Sequence, residues 1–252
     1  MTRRLAAILF VCLAAACAWQ ARIDVHDGFE GARLDKVWAT DRFQAGSVTM
    51  QSDVVRAGKG AARIVLHRGE VFEAGRNGNK DSERAELAEA ERFYSREDRT
   101  YEFSFSQYLP ADFPVVPVRL VLAQWKQDCK GHAPCDDASP VVAVRYTGGV
   151  MQITLQTAEH RRPLYETREE LRGRWLDYRF RIRFTPRADG LLQAWLGEKQ
   201  VVDYHGATAY PESPATGYDS PSQFYFKMGL YRDTMEQPMT LYIDEYRKRE
   251  VE

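Results

Sequence analysis

From Tyr101 to Ser106 aromatic and polar residues alternate one by one, and from Trp175 to Thr185 Tyr178, Phe180, Ile182 and Phe184 alternate with Arg179, Arg181 and Arg183. Successive side chains on a strand point to opposite faces, so this pattern describes strands buried on one side and wet on the other. Val118 to Lys126, Val141 to Tyr146, Val150 to Thr157, Leu191 to Leu196, Gln200 to Tyr204, Phe224 to Tyr231 and Met239 to Tyr246 read as further strands. Gly148-Gly149 and Gly197-Glu198-Lys199 supply hairpin turns between neighbours. No long helical period competes with this reading. The expectation is an all-β sandwich in one domain, with a single helical turn somewhere between Arg162 and Leu171. Two long loops are expected, Glu73 to Glu83 and Tyr204 to Ser222, both rich in turn residues. With 252 residues, 44% of them hydrophobic, the chain can fill such a core.

The N-terminus stands apart from that pattern. Met1-Thr2-Arg3-Arg4 is basic, and Leu5 to Ala16 is an apolar run of about a dozen residues, the length of a signal h-region and too short to span a bilayer. Ala16-Cys17-Ala18 fits a small-x-small cleavage site, so residues 1–18 read as a signal peptide and 19–252 as the mature domain. Leu13-Ala14-Ala15-Ala16 also approximates a lipobox, which leaves a lipid anchor at Cys17 as the alternative. Either way the protein is expected to be secreted or periplasmic. Export makes a disulfide the default for Cys129 and Cys135, six positions apart. A zinc site using His132 between them is the competing reading, weakened by so tight a loop without a second cluster. The formal net charge of −1 argues against a nucleic-acid or membrane-surface binder that works through overall charge.

Three segments carry polar groups where a strand would present them together. In Tyr225-Phe226-Lys227-Met228-Gly229-Leu230-Tyr231 the residues Tyr225, Lys227, Gly229 and Tyr231 share one face, with a glycine that leaves an open floor between lysine and tyrosine. In Gln124-Trp125-Lys126 the glutamine and lysine share a face, preceded on it by Val118, Leu120 and Leu122. In Arg84-Ala85-Glu86-Leu87 the arginine and glutamate share a face. Taken singly these are ordinary amphipathic strands, a fraying strand end and a surface ion pair of little worth.

Taken together they resemble the motifs of the jelly-roll polysaccharide lyases, a group that includes alginate lyases, heparin lyase I and glucuronan lyases. Arg84 to Leu87 resembles their Arg-Ser/Ala-Glu-Leu motif, Gln124 to Lys126 their Gln-x-His motif, and Tyr225 to Tyr231 their Tyr-Phe-Lys-x-Gly-x-Tyr motif. Asp27 to Glu30, Gly173 to Asp177 and Tyr242 to Asp244 are similar to further segments of such sandwiches, so the resemblance spans nearly all of the mature chain. It implies a concanavalin-like β-jelly roll of two antiparallel sheets that cleaves a 4-linked uronic-acid polymer by β-elimination, as a monomer acting on an anionic polysaccharide. No cofactor is required on this reading, and no nucleic-acid or protein partner is implied. By the same resemblance a structural Ca²⁺ is a weak expectation at Asp27, Glu30 and Asp244.

Such a lyase removes the proton on C5 of a uronate and expels the group on C4. The neighbouring carboxylate must be neutralised and the enolate-like intermediate stabilised, which suits Arg84 and Gln124. Tyr231 matches the family's catalytic tyrosine; a phenol titrates near pH 10, so nearby cations must lower its pKa for it to act as base. Lys227, on the same face about 13 Å away by strand rise, is the candidate source of that field. The chain departs from the family where Lys126 replaces the histidine. Lys126 then serves as a neutralising cation, or as a base of depressed pKa, or a loop histidine enters instead, with His132 nearest and His67, His160 and His205 less constrained. With the tyrosine but no histidine, one group doing both jobs suits glucuronate or mannuronate, whose C5 proton and C4 oxygen lie on the same side of the ring. The expected order of substrates is glucuronan, mannuronate-rich alginate, then heparin-like chains. Tyr225, Asn77, Asn79, Lys80, Glu86, Lys227 and Arg145 are candidate substrate-binding residues. Two rivals stand beside the lyase: a carbohydrate-binding module without a base, and a jelly-roll glycoside hydrolase, which would need two carboxylates facing one another.

Overall fold

The computed structural model describes residues 22–39, 43–71, 82–129, 139–158 and 161–251. Residues 1–18 with Cys17, the candidates Asn77, Asn79 and Lys80, and Cys135, His132 and His160 lie outside the described residues. Sixteen strands follow one another among the described residues: β1 (Asp24–Asp27), β2 (Trp38–Ala39), β3 (Val48–Gln51), β4 (Ala61–Leu66), β5 (Ser82–Glu89), β6 (Ser95–Arg96), β7 (Thr100–Leu109), β8 (Leu120–Asp128), β9 (Val142–Thr147), β10 (Val150–Leu155), β11 (Arg162–Thr167), β12 (Arg174–Arg183), β13 (Leu191–Leu196), β14 (Lys199–His205), β15 (Gln223–Asp233) and β16 (Met239–Val251). The helical turn expected between Arg162 and Leu171 is instead β11, an edge strand paired with β10. The one helical piece among the described residues is a 3₁₀ turn at Glu91–Phe93.

The strands form two antiparallel eight-stranded sheets of jelly-roll type. The back sheet runs β14-β13-β12-β7-β16-β4-β3 with β1 beside β16, and the front sheet runs β11-β10-β9-β8-β15-β5-β2 with β6 beside β15. Alternation drives the packing. Phe103 and Phe105 of β7, Phe180 of β12, Trp125 of β8 and Phe226 of β15 all turn inward, with Phe103 edge-on to Trp125 at 5.4 Å and Trp125 against Phe180 at 4.5 Å. Such aromatic pairs add to the burial of area that holds two sheets together. The opposite faces of β5, β8, β9 and β15 are thereby left to the outside of the front sheet.

A charged group also sits inside the sandwich. The Lys248 ammonium donates to Glu89 at 3.1 Å and to the Phe93 carbonyl, the Tyr246 hydroxyl donates to the other Glu89 oxygen, and both Lys248 and Glu89 side chains are fully buried. Burial pulls the Lys248 ammonium below its usual range despite the Glu89 carboxylate beside it. Removing one partner strands the other charge in a dry interior. Glu89→Ala is therefore expected to cost about 3–5 kcal/mol of stability, read as a fall in the denaturant midpoint at unchanged slope.

Candidate functional site

The front sheet brings the three polar segments together because their strands are neighbours. β15 lies between β5 and β8, so Tyr231 pairs with Arg84 and Gly229 with Glu86 on one side, while Lys227 pairs with Gln124 and Tyr225 with Lys126 on the other. Phe224, Phe226, Met228 and Leu230 fill the core, which leaves Tyr225, Lys227 and Tyr231 on the outer face.

β8 reaches that face through an irregularity that alternation alone does not reveal. Its pairing with β9 shifts between Val121 and Ala123, and its pairing with β15 shifts between Met228 and Tyr231. Leu120 and Leu122 join the core before the shift, and Ala123 and Trp125 join it after. Gln124 and Lys126 therefore do not share a face with Leu120 and Leu122, as unbroken alternation would require; the bulge switches the phase. Gly229 has its own backbone reason. Its φ is +143°, and a Cβ there would lie 2.3 Å from the Ala85 carbonyl oxygen. The glycine permits close approach of β15 to β5 as well as clearing the floor.

Glu86 organises this floor from beneath. It is 1% exposed and tied to the side chains around it, which makes it their anchor. Its carboxylate lies 3.3 Å from the Lys227 ammonium and 3.1 Å from Arg84 Nε, and it accepts a hydrogen bond from the Gln124 amide. Burial alone would raise its pKa, but Lys227, Arg84 and the Gln124 hydrogen bond together hold it below the usual carboxylate range. The amide nitrogen of Gln124 has a second N–H for another acceptor. Arg84 Nε is close to Glu86 but misaligned, and it makes no hydrogen bond.

Tyr231 stands at the end of this floor. Arg84 lies over its ring at 4.4 Å and Arg119 at 4.6 Å. Arg119 is held by Asp233, whose carboxylate accepts from Arg119 Nε at 2.8 Å and from its backbone N–H at 3.1 Å. Burial pushes the phenol upward, yet hydrogen bonding from Arg119 and Ser82 and the charges of Arg119 and Arg84 outweigh it, so the phenol falls below its ordinary value. The field thus comes from two arginines; Lys227, the candidate for that role, leans instead toward Glu86 and the Tyr225 ring, 5.7 Å away. A base of lowered pKa works to lower pH. Arg119→Ala raises the Tyr231 pKa, and the acid limb of a kcat/KM profile moves to higher pH with its plateau less affected; a profile across the acid and neutral range reads this directly.

Other candidates lie around this centre. Tyr225 stacks on Tyr94 with ring centroids 5.1 Å apart. Arg145 of β9 pairs with Val121, two strands from Tyr231, and is 7% exposed. Lys126 lies five residues along β8 from Val121, roughly 17 Å at strand rise, so it is not a neighbour of Tyr231. Cys129 is buried just beyond the end of β8. Asp27, Glu30 and Asp244 are engaged separately: Asp27 accepts from Phe29 and the Trp38 indole, Glu30 from Lys59, and Asp244 from Arg56, Ala57 and Glu245. Of the β5 glutamates only Glu86 serves the outer face. Glu83 pairs with Arg232, both fully buried, and Glu89 with Lys248 in the core. The sequence reading missed Arg119 and Asp233, although a lone arginine in the apolar run Val118 to Val121 was the available signal.

Known proteins point the same way. A family model described as polysaccharide lyase matches residues 25–247. An endo-β-1,4-glucuronan lyase from the fungus Trichoderma reesei superposes with a TM-score of 0.62 at 17% identity, covering 82% of this chain and 88% of that one. The alginate lyase AlgAT5 of polysaccharide lyase family 7 gives 0.56 at 13% identity, with 83% and 84% covered. A GH131 β-glucanase catalytic domain from Podospora anserina shares the fold at 0.53 and 9% identity, with 82% and 84% covered, so the architecture by itself does not set the chemistry. By sequence, no curated protein matches the chain. The family match runs through β5, β8 and β15 and takes in nearly every described strand, and the chain belongs to the polysaccharide lyase family.

Proposed function

We propose that the protein is an exported lyase for a 4-linked polyuronate of glucuronan type, with Tyr231 as both base and acid. The observation that carries this reading is the phenol of Tyr231 between two guanidinium groups, Arg84 and Arg119, beside a floor of donors tied to buried Glu86. Arg84 and the free N–H of Gln124 take the uronate carboxylate and draw charge out of the ring. The Tyr231 phenolate accepts the C5 proton; the electron pair forms the C4–C5 double bond as the C4–O bond breaks; the phenol then returns its proton to the leaving oxygen. No water is consumed. One group suffices where proton and leaving oxygen share a side of the ring, which supports glucuronan first, mannuronate-rich alginate second and heparin-like chains third. Lys126 and Tyr225, further along the same floor, hold a neighbouring sugar.

The same reading takes residues 1–18 as an export signal, with lipidation at Cys17 as its variant, and Cys129–Cys135 as a disulfide in the exported protein. It needs no cofactor for the chemistry and works as a monomer. The test is incubation with glucuronan, alginate and heparin while following the ultraviolet absorbance of an unsaturated uronate. Absorbance with glucuronan above the others supports the proposal. Binding without absorbance favours a carbohydrate-binding module, and new reducing ends without absorbance favour a hydrolase.

A further inference from the structure

Three arginines stand on the outer face along the rung of Tyr231 or beside it, and they differ in one respect. Arg84 faces Glu86 and Arg119 faces Asp233. Arg145 has no carboxylate among the described residues, although its residue is 7% exposed. Its Nε donates to the Thr154 hydroxyl at 3.2 Å. Thr154 belongs to β10, on the far side of β9 from β8, so the guanidinium leans away from Tyr231. Burial and the charges of Arg161 and Arg119 bring it down to about 10. A buried cation beside other cations costs stability unless an anion arrives.

The lattice of the sheet places this cation. Arg145, Val121, Tyr231 and Arg84 occupy one rung across β9, β8, β15 and β5. At about 4.8 Å per strand, Arg145 begins roughly 10 Å from Tyr231 and 14 Å from Arg84. A carboxylate held by Arg84 and Gln124 over Glu86 is therefore a different carboxylate from one held by Arg145.

We propose that Arg145 is a second carboxylate-binding subsite, so that the enzyme grips two uronates of one chain at once. This rests on the polyuronate lyase reading above. A chain whose uronates are isolated among neutral sugars fills only the Arg84 site and loses the second contact. A guanidinium–carboxylate contact of this kind changes affinity by about tenfold or more.

The experiment compares wild type, Arg145→Gln and Arg145→Lys on glucuronan and on glucuronan carboxyl-reduced until its remaining uronates are isolated, with thermal melts of each protein. The expected result is a KM for glucuronan raised about tenfold or more in Arg145→Gln at nearly unchanged kcat, and partial rescue in Arg145→Lys. Wild type is expected to discriminate between the two polymers and Arg145→Gln to lose that discrimination, with a melting temperature no lower than wild type. An unchanged KM with discrimination retained overturns the subsite, as does a loss of activity that tracks a lowered melting temperature. No cleavage of any polyuronate by wild type would instead overturn the lyase reading itself.

Discussion

Tyr231→Phe is expected to lower turnover by about 10²–10⁴-fold while leaving polymer affinity close to wild type. The substitution removes one oxygen and keeps the ring against which Arg84 and Arg119 rest, at 4.4 and 4.6 Å. The floor built on Glu86 does not depend on that oxygen, because its partners are Arg84, Gln124 and Lys227. Binding and chemistry should therefore separate: kcat falls, and the dissociation constant measured by calorimetry with intact polymer stays within a few-fold. A comparable fall in affinity would mean that the phenol holds the substrate instead of moving its proton.

Glu86→Ala should produce the second large effect, in stability and activity together. The carboxylate is buried and balances two cations, Lys227 and Arg84, of which Lys227 is itself only 3% exposed. Its removal breaks the buried ion pair with Lys227, at a cost of about 3–5 kcal/mol. It also frees the Gln124 amide and the Arg84 side chain from their positions. Under conditions where the variant remains folded, kcat and kcat/KM on the polyuronate should drop together by roughly tenfold or more, since misplaced donors weaken charge stabilisation at the intermediate. Glu86→Gln, which retains an acceptor for Gln124, should recover part of the stability and less of the rate. A folded Glu86→Ala variant with wild-type kinetics would show that the floor needs no anchor.

Alternation makes the sandwich legible in the sequence. Phe103, Phe105, Phe180 and Phe226 turn inward where the period of two puts them, and the outer face of β15 carries Tyr225, Lys227 and Tyr231 as the spacing requires. The motif segments were legible too, because each occupies one strand. What lay between strands was not. The phase switch in β8 depends on a bulge formed with β9 and β15, and nothing in Leu122-Ala123-Gln124 announces it. Arg119 and Asp233 are separated by 114 positions and meet only through that register. The expectation that Lys227 tunes Tyr231 followed from proximity along one strand, whereas Glu86 on the adjacent strand captures the ammonium. The turn expected near Arg162 became a strand because β10 offers an open edge for Arg162–Thr167. Edge pairing of this kind is a tertiary effect that local propensity does not register.

The most direct measurement is brief digestion of glucuronan in heavy-oxygen water, with the products reduced at once, before the new hemiacetal oxygen exchanges with solvent, and weighed by mass spectrometry. Elimination by Tyr231 breaks the C4–O bond without solvent, so every new end should be an unsaturated uronate or an unlabelled sugar, and Tyr231→Phe should yield neither. Incorporation of one heavy oxygen per cleavage would mean that water attacks the polymer, and the account of a phenolate drawing off the ring proton would fail.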